Sequence, residues 1–182
     1  MFDIFNEILV EEAKKRGIER VPAVSITKPT HTNQFLIANN VDRSLLKSGV
    51  HVFIDLELLE KQDNVHHRNS GLDSTSAKLC AEQGALIGIN IANIRKQDPI
   101  IIGRIMQNIE LCRQHKTRMA VISSAKTKEE LLDPSDVTSL LLVLGMSPSE
   151  AKQTVHNLEK TYKEHLFKTS NLYVKEGVRK KA

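Results

Sequence analysis

The sequence predicts an α/β fold built on a mainly parallel sheet. Three observations lead there: short apolar segments alternate with amphipathic helices, most helices carry their own start and stop signals, and 182 residues suffice for one well-buried core but not for two ordinary domains. Phe2-Asp3-Ile4-Phe5 is a candidate first strand. A helix over about 6–16 stops at Gly17, and 21–26 reads as a strand ended by Thr27-Lys28-Pro29-Thr30. Residues 34–38 read as another strand, and 42–48 as a short helix closed by Gly49. From 50 to 56, Val50, Val52, Ile54 and Leu56 alternate with His51, Phe53 and Asp55, the period of a strand with two unlike faces. Ser70 stands three residues before Asp73, a capping-box spacing that predicts a helix opening at Ser70, running to Gln83 and stopping at Gly84. A strand over 85–91 follows. Asp98-Pro99 then caps and starts a long helix to about His115, with Ile102, Ile105, Met106, Ile109 and Cys112 on its apolar stripe and Arg104, Gln107, Asn108 and Arg113 elsewhere. Residues 118–123 read as a strand. Asp133-Pro134-Ser135-Asp136 and Ser147-Pro148-Ser149-Glu150 each give a cap, a first-turn proline and an acid for a further helix.

Composition excludes several classes. Aromatic residues are only 4% with no Trp, which argues against a base-stacking surface for single strands. No charged leader followed by an apolar stretch and no run of membrane-spanning length is visible, so a cytoplasmic location is expected. Cys80 and Cys112 lack any paired spacing and fall in predicted helices, which predicts buried free thiols. The net charge of +4 is unevenly spread: residues 160–182 hold seven basic side chains against Glu164 and Glu176, or +5, leaving the rest of the chain at −1. Total charge therefore argues weakly for an anionic partner, and local arrangement decides.

In strand–helix repeats, function collects on the rim at the carboxyl ends of the strands. That rim is expected to hold Lys28 and His31, then His66, His67, Arg68 and Asn69, then Asn93, Arg95 and Lys96, then Ser123, Ser124, Lys126 and Lys128: mostly cations, amides and hydroxyls, with Glu57, Glu60, Asp63 and Asp98 not far away in sequence. With Arg68 beside a helix amino end, the 66–73 loop is a natural anion site; an ordinary capped loop is the plain alternative. A metal hydrolase needs converging His and carboxylate ligands, and adjacent His66-His67 do not have that spacing. There is no phosphate-cradling glycine loop and no nucleophile elbow.

The blocks His67-Arg68-Asn69-Ser70-Gly71-Leu72-Asp73, Ala77-Lys78-Leu79, Ile87-Gly88-Ile89-Asn90, Gly103-Arg104-Ile105-Met106-Gln107-Asn108, Ser123-Ser124-Ala125-Lys126, Asp133-Pro134-Ser135-Asp136 and Leu144-Gly145-Met146 resemble archaeal ribonuclease P protein component three, the counterpart of the eukaryotic thirty-kilodalton subunit. The likeness holds in order and spacing from about 50 to 155 and is loose before residue 50. It implies a TIM-barrel-like fold related to the polymerase-and-histidinol-phosphatase hydrolases but without their metal ligands. The barrel is expected to be incomplete at its N-terminal part, because about five or six candidate strands stand where a complete barrel has eight.

The same resemblance implies a protein subunit of the enzyme that removes the 5′ leader from precursor tRNA, with the chemistry and its magnesium on the RNA subunit. This chain then needs no cofactor, metal or catalytic residue of its own. The implied partners are ribonuclease P RNA, precursor tRNA, protein component two and the other protein subunits. Candidate RNA contacts are His66, His67, Arg68, Asn69, Arg104, Ser124 and Lys126, with Arg68 and Lys126 foremost because each follows a strand's carboxyl end. A barrel-like domain over 1–162 and a basic C-terminal tail over 163–182 are expected. The alternative function is a metal-dependent phosphoesterase of the same hydrolase type, drawing on His31, His51, Asp55, His66 and His67.

Overall fold

A computed structural model describes residues 1–5, 7–30, 32–64 and 68–170, and the backbone of 173–175 and 178–179. Strand β1 (Phe2–Asp3) is followed by a 3-10 turn at Glu7–Leu9, helix α1 (Val10–Lys15) and β2 (Glu19–Arg20). Strand β3 (Ala23–Ser25), β4 (Phe35–Ala38), α2 (Arg43–Lys47), β5 (Val52–Phe53), α3 (Ser74–Gln83) and β6 (Leu86–Asn90) come next. The chain continues through α4 (Ile91–Ile94), α5 (Pro99–His115), β7 (Met119–Ile122), α6 (Pro134–Val143) and α7 (Pro148–Thr169) to β8 (Tyr173–Lys175) and β9 (Val178–Arg179). A five-stranded sheet runs β3-β4-β5-β6-β7, every pair parallel and every strand beside its successor. A second, two-stranded parallel sheet joins β1 to β2.

Of the expected strand over 21–26 only Ala23–Ser25 is strand, and Val21-Pro22 separates it from β2 at Glu19–Arg20. Proline has no N–H for a ladder, and at this point the segment changes partner, from β1 on one side to β4 on the other. At the far edge, the Ser123 N–H donates to Asp3 Oδ1 at 2.8 Å and the Ser124 N–H to Ile4 O at 3.2 Å. Those bonds connect the end of β1 to the residues after β7, although no ladder pairs the two strands among the described residues. The arrangement is TIM-barrel-like in strand order and direction, with no continuous ring among the described residues.

Strand period decides which side chains meet. Phe35, Ile37, Val52, Leu86, Ala120 and Ile122 share one apolar cluster, while Leu36, Ala38, Phe53, Ile87, Ile89, Met119 and Val121 face the other with the helices. Helix α7 crosses from one cluster to the other, with Ala151 and Val155 in the helix-side core and Leu158 among the first set. The first cluster is full: a Cβ on Gly88 would come within 2.6 Å of Ile54 Cγ2 and 3.0 Å of Ile122 Cδ1.

Several elements differ from the sequence reading. Only Val52–Phe53 of the 50–56 segment is strand, because Asp55 adopts a left-handed backbone (φ 59°) and turns the chain into a 3-10 helix at Leu56–Leu58. The N-cap of α3 is Asp73, which accepts from the Ser76 N–H at 2.7 Å, rather than Ser70. Gly71 is the reason: its φ of +73° reverses the chain after Ser70, and a Cβ there would lie 2.0 Å from Leu56 O. Asp133 precedes α6 but makes no side-chain cap bond, whereas Ser147 and Glu150 form the expected capping box. Helix α7 continues through residue 162 to Thr169, so the basic segment begins as helix, not as tail. Cys80 and Cys112 are buried free thiols, and burial pushes both up to about 12.

The buried face of α5 is rotated from the expected stripe. It carries Ile101, Arg104, Ile105, Asn108, Ile109 and Cys112, and Met106 is 44% exposed. Two polar residues thus lie on the inward face, and both are used there.

Candidate functional site

The carboxyl ends of the strands bring together Asp3, Asp55, Asn90, Ser123 and Ser124, with Glu57 and Asn93 from the turns that follow. These groups bond mainly to one another. Asp55 Oδ1 accepts from Asn90 Nδ2 and Asn93 Nδ2, each at 2.7 Å, and Asn93 Nδ2 also donates to Glu57 Oε1 at 2.8 Å. Lys96 Nζ donates to Asn93 Oδ1 at 2.8 Å. Glu57 is 2% exposed, and burial raises its pKa against the lowering effect of the Asn93 amide. Asp3 is raised from 3.8 to about 6 by burial, opposed by hydrogen bonds from Ser123 and the Ile4 N–H. The carboxylates of this rim are therefore satisfied by neutral amides and backbone N–H groups. Among the described residues, no group of three or more His, Cys, Asp and Glu is arranged to hold a metal ion.

Helix α5 fixes the loop that follows. Arg104 is 1% exposed: Nε donates to Asp63 Oδ1 at 2.7 Å, and Nη1 donates to Glu57 O at 2.9 Å and Glu60 O at 2.6 Å. One turn on, Asn108 Nδ2 donates to Ser70 O at 3.0 Å. Asn69 closes the loop on itself, with its N–H donating to Asp63 Oδ1 at 2.9 Å and its amide to Gln62 O at 2.6 Å.

The expected RNA contacts consequently separate. Arg104, expected at the RNA, is enclosed instead: Nε and Nη1 are bonded to the loop, Nη2 is buried without a hydrogen-bond partner among the described residues, and 1% exposure leaves no surface for an external phosphate. Asn69 is half-buried and serves the same loop. His66 and His67 lie outside the described residues. Arg68 is exposed and lies across Gly103 of α5, where a Cβ would come within 2.6 Å of Nε, so the missing side chain makes room for the guanidinium. The anion site expected at the α3 amino end is filled by the chain's own Asp73 carboxylate. Lys126 is exposed and makes no ion pair among the described residues. Its backbone is held by a 2.6 Å bond from the Lys126 N–H to Glu130 Oε2. Ser124 is half-buried with φ 48°, and its N–H is spent on Ile4.

The groups named for a phosphoesterase do not converge. His51 precedes β5 and Asp55 follows it, at opposite ends of the strand. His51 Nδ1 accepts the Leu36 N–H at 3.0 Å, and its ring stacks on Phe35 with centroids 4.4 Å apart. Burial, then the His165 and Lys168 charges, lower it to about 4. His31, like His66 and His67, lies outside the described residues. Sequence reading did not see the amide lock of Asn90 on Asp55; the available signal was a polar residue in the last position of an otherwise apolar strand.

Fold and rim together define a parallel α/β, TIM-barrel-like protein whose strand-end carboxylates are bound by amides and whose rim exposes the cations Arg68 and Lys126. No protein-family profile matches the chain. Curated proteins to which the chain is similar include ribonuclease P protein component 3 of Thermococcus kodakarensis, 25% identical over 125 residues (66% of this chain and 54% of that protein), and of Thermococcus gammatolerans, 28% identical over 93 residues (49% and 44%). The chain spans about half the length of these curated relatives. A chain from a cryo-EM structure of archaeal ribonuclease P with mature tRNA shares the fold, with TM-score 0.70 at 16% identity, covering 98% of this chain and 86% of that one. The family resemblance carried by the seven sequence blocks is therefore matched by independent likeness in sequence.

Proposed function

We propose that this chain is a non-catalytic, RNA-binding protein subunit of ribonuclease P, supporting endonucleolytic removal of the 5′ leader from precursor tRNA. The observation that carries this reading is its sequence likeness to two curated component 3 proteins. The rim chemistry supports it. A phosphoesterase needs carboxylates free to hold metal and activate water, and here Asp55 and Glu57 are occupied by the Asn90 and Asn93 amides. Exposed Arg68 and Lys126 are suited to phosphate oxygens, and folded RNA is recognised largely through backbone geometry. The partners in this reading are ribonuclease P RNA, precursor tRNA, protein component two and the remaining protein subunits. Magnesium belongs to the RNA.

The fold in this reading is a polymerase-and-histidinol-phosphatase-type barrel, short of strands in its N-terminal part, whose strand-end carboxylates keep a structural role. No helix among the described residues is long and apolar enough to cross a membrane, and we place the chain in the cytoplasm with its RNA.

Purification from source cells tests the proposal. The chain is expected to bring down an RNA of defined sequence, and the RNA-free protein to show neither a stoichiometric transition metal nor phosphodiester hydrolysis. Metal-dependent turnover by RNA-free protein, lost when His66 and His67 are replaced, would overturn it.

A further inference from the structure

A large hollow lies at the other end of the sheet. The C-terminal turn of α5, the loop into β7 and the first half of α7 enclose about 660 Å³, and a second hollow of about 310 Å³ continues from it through Arg118 toward the end of α2. Lys116, Arg118, Lys152 and Lys160 line the first, with His156 between the two α7 lysines. Its one carboxylate, Glu150, is spent: Arg113 Nε and Nη2 donate to it at 2.7 and 3.1 Å, and the Ser147 N–H at 2.7 Å. Lys47 and Lys168 extend the line through the second hollow, against the single carboxylate of Glu164.

Four cations of the first hollow make no ion pair among the described residues. Arg118 is aimed by a 2.8 Å bond from Nη2 to Gly84 O. Helix-end electrostatics account for Lys47 and Lys116, which sit at carboxyl ends of helices. They do not account for Lys152 and Lys160, which lie within α7 two turns apart on one face. Lys152 to Lys168 spans about 24 Å of helix, enough to follow several phosphates along a strand. None of the large exposed apolar side chains lines either hollow, and a protein partner would need such anchors.

We propose that this trough is a second RNA-binding surface, on which Lys116, Arg118, Lys152 and Lys160 take phosphates of a folded RNA backbone. The inference rests on the reading of the chain as a ribonuclease P subunit and adds a face that the strand-end rim does not include. Its test is the salt dependence of binding to a transcript of the cognate ribonuclease P RNA, measured between about 50 and 200 mM salt for the unsubstituted chain and for Lys152→Gln/Lys160→Gln. The double variant is expected to melt at the same temperature, bind more weakly and lose about 2 from the slope of log K against log salt. An unchanged slope overturns the trough and leaves the subunit reading standing. An unchanged slope with lost association to the other protein subunits also overturns it and makes the trough a protein interface. Absence of binding by the unsubstituted chain overturns both.

Discussion

The two ends of one parallel sheet use polar residues in opposite ways. At the carboxyl ends, Asp55, Glu57, Asn90, Asn93 and Arg104 are hydrogen-bonded to one another or to the chain, as is Asp3 from the neighbouring β1–β2 sheet, and little of their charge is offered outward. At the amino ends, Arg118, Lys152 and Lys160 face an open trough whose carboxylate, Glu150, is already bonded to Arg113 and the Ser147 N–H. The difference teaches that polar residues after strand ends do not by themselves make a binding site: what a group can bind depends on what has already claimed it. Replacing groups at the first end should therefore cost stability, and replacing those at the second should cost binding.

The largest expected effect is at Arg104. Arg104→Met leaves the Glu57 and Glu60 carbonyls without that donor and Asp63 with only the Asn69 N–H, and is expected to lower unfolding free energy by about 3 kcal/mol in a urea titration. A loss well under 1 kcal/mol would mean that the carboxyl-end network is not structural.

The comparison can be sharpened with pH, because Asp3 and His51 stand at opposite ends. Folding raises Asp3 from 3.8 to about 6, so its contribution is full below about pH 4 and is lost as pH rises through 6, a swing of about 3 kcal/mol. Folding lowers His51 from 6.5 to about 4, so its contribution is full above about pH 6.5 and is lost as pH falls through 4. The two slopes oppose each other in the unsubstituted protein. Asp3→Asn should uncover the His51 slope, with stability falling as pH drops from 6.5 toward 4. His51→Gln should uncover the Asp3 slope, with stability falling as pH rises through 6. Thermal melts across that window check both, and parallel slopes in the two variants would contradict the assignment.

Smaller still are effects on folding at the exposed rim. Arg68→Ala and Lys126→Ala are expected to change stability by less than about 0.5 kcal/mol while weakening RNA-dependent activity. Gly103→Ala separates position from charge: the flexible Arg68 guanidinium must move off α5, so RNA affinity should fall although the helix gains a better helix former. Loss of soluble protein in Arg68→Ala would instead make that residue part of the fold.

Local signals were legible in the sequence and long-range ones were not. Asp98, Ser147, Gly84 and the short apolar runs of β4, β6 and β7 act within a turn or a strand, and the order of parallel strands follows from them. Ser70 and Asp73 are both good caps by type; the choice between them was made by Gly71, whose left-handed backbone sits against Leu56, fifteen residues away. Arg104 looked like the solvent side of an amphipathic helix because its partners lie 41 to 47 residues earlier. The trough joins the end of α5 to α7, segments with no shared motif, so of its cations only Lys160 showed in the sequence, within the basic C-terminal balance, while Lys116, Arg118 and Lys152 were lost in a nearly neutral remainder.

Reconstituted cleavage of precursor tRNA is the most direct measure of the central claim. With ribonuclease P RNA and the other protein subunits at limiting magnesium, cleavage should rise when this chain is added, while the chain alone should cleave nothing. Cleavage at the same rate with and without the chain would contradict the account.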